Sequence, residues 1–162
     1  MQIREMHPSD WDSVAKIYAQ GIATGYATFE KSVPVYEVWD KNHLSSCRIV
    51  AIENDKVIGW AALSTVSSRC VYGGVGEVSV YVATDNMDQG VGKILMHHLI
   101  SESEKEGYWT LQSGIFPENE GSIALHKKLG FRYIGKRERV GQLDGVWKDN
   151  LLFERRSKTV GI

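Results

Sequence analysis

The chain has 162 residues, 43% of them hydrophobic, and its 19 basic and 20 acidic side chains leave a net charge of −1. At this length about 70% of the unfolded chain's surface can be buried, enough for one domain over residues 1–162. The charge balance gives no electrostatic handle for nucleic acid or an anionic membrane; no apolar run reaches spanning length, and Met1-Gln2-Ile3-Arg4-Glu5 is no signal peptide, so a cytoplasmic protein is expected.

Gln2 to Glu5 alternates and reads as a first strand. Ser9, with Asp12, reads as the cap of a helix in which Trp11, Val14, Ala15, Ile17 and Tyr18 keep helical spacing. Gly21 to Lys31 reads as a loop able to line a substrate site, and Pro34 opens a second helix ending near Leu44. Arg48 to Glu53 and Lys56 to Ser64 read as strands joined by the tight turn Asn54-Asp55.

Gly73, Gly74 and Gly76 mark a break before the strand Glu77 to Val82. The helix from about Gly90 to Glu106 is expected to turn Val91, Ile94, Leu95, His98 and Leu99 to one face, with His98 a core or boundary residue. Thr110 to Phe116 is a further strand, and Pro117-Glu118-Asn119 leads into a helix stopped by Gly130. Phe131 to Val140 and Trp147 to Arg155 form a closing hairpin around Asp144-Gly145. The order β-α-α-β-β-β-α-β-α-β-β predicts an α/β fold: a mixed sheet covered by helices, with parallel strands on either side of the long helix. Cys47 and Cys70 lack metal-ligand spacing and read as reduced thiols; no metal is expected.

The sharpest local signal is Gly90-Val91-Gly92-Lys93, set between an apolar strand and an amphipathic helix. Free N–H groups at such a helix start, with its partial positive charge, suit a phosphate or pyrophosphate. A P-loop in this register needs Gly where Met87 stands and Ser or Thr where Ile94 stands, and a dinucleotide fingerprint needs Gly where Leu95 stands. Both readings fail on chemistry.

Met87-Asp88-Gln89-Gly90-Val91-Gly92 resembles the pyrophosphate loop of the GNAT superfamily of N-acetyltransferases, Gln/Arg-x-x-Gly-x-Gly/Ala, with Met87 departing at its first position. The run from Asn119 to Phe131 resembles that family's Asn-x-x-Ser-x-x-Leu-His/Tyr-x-x-x-Gly-Phe segment. Glu77 to Val82, Thr28-Phe29-Glu30, Arg69 to Tyr72, and Val140 to Asp149 (with Leu143 where a basic residue is usual) resemble the phosphinothricin and methionine sulfone acetyltransferase subgroup. The resemblance covers nearly the whole chain. It implies a mixed, mostly antiparallel sheet of about seven strands with about four helices, its central parallel strands splayed by a bulge.

It also implies acetyl-CoA as cosubstrate, a small amino acid or analogue as acceptor of the acetyl group on its primary amine, and a homodimer helped by the Trp147 hairpin. Glu77 is the candidate general base, a carboxylate set in an otherwise apolar strand. His126 is the second catalytic candidate, as proton relay or as acid toward the departing sulfur, against a packing role. Val80, Tyr81 and Val82 would meet the pantetheine arm as an added strand does, with an N–H near Val80 polarising the thioester carbonyl. Gly90, Val91, Gly92 and Lys93 would hold the pyrophosphate and Asn119 the cofactor arm, while also capping its helix. Arg69 is the candidate carboxylate clamp, and Phe29, Glu30 and Tyr72 the pocket wall. Two alternatives stay open: another acceptor (polyamine, aminoglycoside or protein amine), and a CoA-binding module without catalysis.

Overall fold

A computed structural model describes residues 1–162. Its elements in chain order are β1 (Gln2–Glu5), α1 (Trp11–Ala23), α2 (Tyr36–Asn42), β2 (Ile49–Glu53), β3 (Lys56–Thr65), β4 (Val75–Val82), α3 (Val91–Lys105), β5 (Thr110–Ile115), α4 (Glu120–Lys128), β6 (Arg132–Leu143) and β7 (Val146–Arg156). The predicted order of strands and helices holds throughout. Seven strands form one sheet in the order β1-β2-β3-β4-β5-β7-β6. Every neighbouring pair is antiparallel except β4 with β5.

The hydrophobic pattern explains the layers. In β3, Ile58 through Leu63 are all buried, as a strand covered on both faces requires. Trp60 and Ala62 face α1 and α2, in a cluster with Val14, Ile17, Tyr18 and Trp39. Ala61 and Leu63 face α3, in a cluster with Leu95, Met96, Leu99 and Phe153. The close packing of α3 on β3 needs Gly59: a Cβ there would stand 2.8 Å from Leu95 Cδ1 and 3.1 Å from the Tyr81 carbonyl oxygen.

Four local expectations are corrected. Asp10, not Ser9, organises the start of α1: its carboxylate accepts the His7 N–H at 2.8 Å and both guanidinium nitrogens of Arg4 at 2.8 and 2.9 Å. The second helix begins at Tyr36, because Val35, following Pro34, is still extended. On α3 the buried residues are Val91, Leu95, Met96, Leu99, Ile100 and Ser103, while Ile94 and His98 face solvent. Ser103 is tolerated inside because its hydroxyl donates to the Ile100 carbonyl at 2.7 Å. The closing hairpin is longer than expected; Asp144 (φ 50°) and Gly145 (φ 79°) both take the left-handed turn geometry that matches strand twist.

One feature of the sheet creates the site. β4 and β5 pair only through Val75↔Thr110, Gly76↔Leu111 and Glu77↔Gln112, then part. The implied bulge is absent on the other side of β4: the β3–β4 ladder runs unbroken from Gly59↔Val82 to Thr65↔Gly76. The splay therefore comes from β5 leaving β4, not from a kink in β4.

Candidate active site

Beyond Glu77 the parted strands enclose a cavity of about 870 Å³. The direction of its backbone donors follows from strand alternation. Ala83, just past β4, donates its N–H to the Ile58 carbonyl of β3 at 2.8 Å, and the Gly74 carbonyl accepts from Trp109 at 2.9 Å on the β5 side. Odd-numbered residues of β4 thus address β3. The N–H and C=O groups of Val80 and Val82 face the open wedge, where no strand pairs with them.

At the far end of β4 the chain turns into α3 through Asp88 (φ 62°) and Gly90 (φ 81°). The first helical bond runs from the Ile94 N–H to the Gly90 carbonyl at 3.1 Å. The N–H groups of Val91, Gly92 and Lys93 thus lack intrahelical acceptors, and no side chain caps them. All three residues line the cavity with Gly90. A Cβ on Gly92 would meet Leu125 at 3.4 Å and Val82 at 3.6 Å, so bare backbone forms the cradle between α3, α4 and β4. Unsatisfied donors, a helix start and a bare cradle fit a diphosphate.

Val80, Tyr81, Val82 and Asn119 also line the cavity. Tyr81 does so with its backbone; its ring turns away, stacked on Trp60 at 4.9 Å and near Tyr18 at 5.0 Å. Burial raises the pKa of that phenol, so it stays protonated. Asn119 caps α4, its side chain accepting the Ser122 N–H at 3.2 Å. Glu77 sits half-buried on the cavity wall where the β4–β5 pairing ends, and none of the chain's ion pairs engages it.

His126 reaches the same cavity from α4 and is buried. Its Nδ1–H donates to the Ser122 carbonyl at 2.7 Å, and its ring stands edge-on to Phe131 at 4.9 Å. A carbonyl only accepts, so Nδ1 carries the proton and Nε2 presents a lone pair. Nε2 is enclosed and has no partner within the chain. Desolvation lowers the imidazole pKa, which keeps the ring neutral.

The predicted acceptor pocket is only partly assembled here. Phe29 lines the cavity, edge-on to Phe116 at 4.6 Å. Glu30 is exposed outside the wall, its charge felt at Tyr18 and Tyr81. Arg69 and Tyr72 are also exposed and outside it, the guanidinium 5.7 Å over the Tyr72 ring. The reason is topological: both precede β4, at the end where β4 and β5 still pair, while the cavity opens beyond Glu77. Sequence reasoning missed Arg137, Gln112, Gly114 and Asn150, which line the wall from β5, β6 and β7. The one available signal was Asn150, a polar residue entering the apolar run Leu151-Leu152-Phe153. The cysteines lie elsewhere; burial pushes the Cys47 thiol up to about 11, which leaves it unreactive.

Comparison with known proteins agrees with this geometry. The profile of the acetyltransferase (GNAT) family matches residues 11–131. A phosphinothricin N-acetyltransferase of Alcaligenes faecalis is 30% identical over 163 residues, covering 94% of this chain and 81% of that protein. An L-methionine sulfoximine/L-methionine sulfone acetyltransferase of Pseudomonas aeruginosa is 27% identical over 154 residues, covering 91% and 89%. The crystal structure of a GNAT superfamily phosphinothricin acetyltransferase from Sinorhizobium meliloti, in complex with AcCoA, is similar with a TM-score of 0.85 and 25% identity, covering 99% of this chain and 95% of that one.

Proposed function

The chain belongs to the acetyltransferase (GNAT) family, and from that premise we propose that it acetylates the primary amine of a small amino acid or analogue. The observation that carries this reading is the wedge between β4 and β5, with unpaired backbone on one wall and orphan helix N–H groups at its end. Acetyl-CoA, when bound, supplies an activated acyl group as a thioester.

The chain's own residues do the rest. Val80 and Val82 offer main-chain donors and acceptors to an extended arm, replacing the strand that β5 fails to provide. The Val80 N–H polarises the acyl carbonyl. Val91, Gly92 and Lys93 hold the diphosphate through their amides, and Asn119 meets the arm where α4 begins. Glu77 takes a proton from the acceptor's ammonium, directly or through water, because only the neutral amine has a lone pair to attack with. Between the two open roles of His126, its tautomer favours the relay: Nε2 can accept a proton but has none to give.

The same reading includes a single domain, a cytoplasmic setting and a homodimer. Both apolar clusters share one sheet. The two cysteines are free thiols and no helix is long and apolar enough to cross a membrane. Exposed Tyr133, Val146 and Trp147 on the closing hairpin support a self-interface; a monomer in sedimentation overturns it.

The test is thiol release from acetyl-CoA with a panel of amines led by phosphinothricin and methionine sulfone. Release with those two and not with polyamines supports the reading. Silence with every amine, alongside calorimetric CoA binding, leaves only a binding module.

A further inference from the structure

The closing hairpin is irregular where it borders the cavity. Arg137 pairs with Asn150 and Gly141 with Lys148, so Glu138, Arg139 and Val140 of β6 stand against the single residue Asp149 of β7. Extra residues of this kind bend a strand and re-aim it, and such bulges gather beside active sites. The bend is held against a backbone preference. Arg139 takes φ 44°, left-handed geometry that disfavours any residue with a side chain. Asp149 keeps it there: the Arg139 N–H donates to Asp149 Oδ1 at 2.8 Å. The carboxylate supplies the acceptor that a regular ladder takes from the facing backbone.

The bulge bears directly on the cavity. Val140 and Gly141 line it where the bulge ends, while Asp149 does not. A Cβ on residue 141 would lie 3.0 Å from Phe29 Cε1 and Cζ, so bare backbone rests on that ring. Phe29 in turn stands edge-on to Phe116 at 4.6 Å.

This stretch of wall belongs to the acceptor's side. Val78 packs in the cluster that faces α3, and Tyr81 packs against the cluster that faces α1. By strand alternation Glu77 shares the face of Tyr81, and Phe29 follows α1 in the chain. The glycine loop opens α3, on the opposite face.

We propose that Asp149 is a positioning residue for the acceptor: it holds the β6 bulge against Phe29 and so shapes the cavity on the side of Glu77, without lining that cavity itself. This rests on the acetyl-transfer reading and adds how the acceptor's part of the site is held.

The experiment is calorimetry with phosphinothricin and methionine sulfone on the protein saturated with coenzyme A, and with coenzyme A on the free protein. Asp149→Ala should weaken both amino acids about fivefold and leave coenzyme A unchanged; unchanged coenzyme affinity shows that the fold survives. Asp149→Asn keeps an oxygen for the Arg139 N–H and should bind as wild type does. Adding Arg139→Gly to Asp149→Ala frees the left-handed position from its side chain and should restore both affinities to within about twofold of wild type. A merely structural role would move the denaturation midpoint and leave these affinities alone. Gly141→Ala presses a methyl onto Phe29 with the Asp149 tie intact; it should also weaken both amino acids, and it decides the matter if Asp149→Ala does not fold. Wild-type amino-acid affinity in Asp149→Ala and Gly141→Ala, an equal loss of coenzyme A affinity, or no recovery with Arg139→Gly overturns the assignment. No binding of either amino acid to wild type overturns it together with the acetyl-transfer reading. Failed acetyl transfer with this binding pattern intact overturns the enzymatic reading alone.

Discussion

The Nδ1–H of His126 donates to the carbonyl of Ser122, one turn back along α4, at 2.7 Å. Burial of the ring outweighs this bond, which favours the charged form, and holds the side chain neutral, with its pKa below the ordinary 6.5. His43 shifts the same way, chiefly through desolvation. A histidine whose folded pKa is depressed binds fewer protons folded than unfolded, so stability is full above about pH 6.5 and falls as pH drops toward the folded pKa. Unfolding free energy from urea titrations should decline from pH 7 to about pH 5, and His126→Gln should remove its share of that slope. An NMR titration placing the His126 pKa at or above 6.5 contradicts this.

Glu77→Gln removes the proton acceptor but keeps shape and cavity. Turnover should fall by about 10²- to 10⁴-fold, the usual size of a general-base contribution, with coenzyme A affinity unchanged. Unaltered turnover at saturating amine takes Glu77 out of the mechanism.

The two loop glycines should respond differently. Gly90 sits at φ 81°, so Gly90→Ala should cost about 1–2 kcal/mol of stability. A Cβ on Gly92 makes only ordinary contacts with Leu125 and Val82, so Gly92→Ala should fold normally and weaken coenzyme A by filling the cradle. Thermal unfolding and calorimetry on both variants separate the effects; a normal coenzyme affinity in Gly92→Ala places the diphosphate elsewhere.

Gly21 is a packing residue. A Cβ there would stand 2.6 Å from two ring carbons of Tyr81, which is pinned against Trp60 and Tyr18. Gly21→Ala should destabilise the protein by roughly 1–3 kcal/mol, as overpacking does. A wild-type midpoint in denaturant shows that the aromatic stack yields more easily than its geometry suggests.

Arg69→Ala should leave acetyl transfer within about twofold of wild type for amino acids and simple amines alike, because the side chain stands outside the cavity and costs little to lose. A selective loss for amino acids restores it as the carboxylate clamp.

Local chemistry was legible in the chain. Alternation, helical spacing and the turns at Asn54-Asp55 and Asp144-Gly145 place every strand and helix in order, because each signal lies within a few neighbouring residues. Gly90 to Lys93 was legible for the same reason. What depended on distant pairing was not. The close seating of Val91 and Leu95 of α3 on β3 depends on Gly59, more than thirty residues earlier. The exclusion of Arg69 from the wall and the inclusion of Asn150 follow from where β5 leaves β4, which no window of sequence contains.

β6 closes one side of the sheet, pairs only with β7, breaks register twice, and carries Arg132, Lys136, Arg137, Glu138 and Arg139 along its length. An unprotected margin of this kind would invite a neighbouring molecule to extend the ladder without end. The irregular spacing and mutual repulsion of the cations deny it a template. Crowded solutions of this protein should resist fibrillar polymerisation, and self-association is confined to finite contacts between side chains.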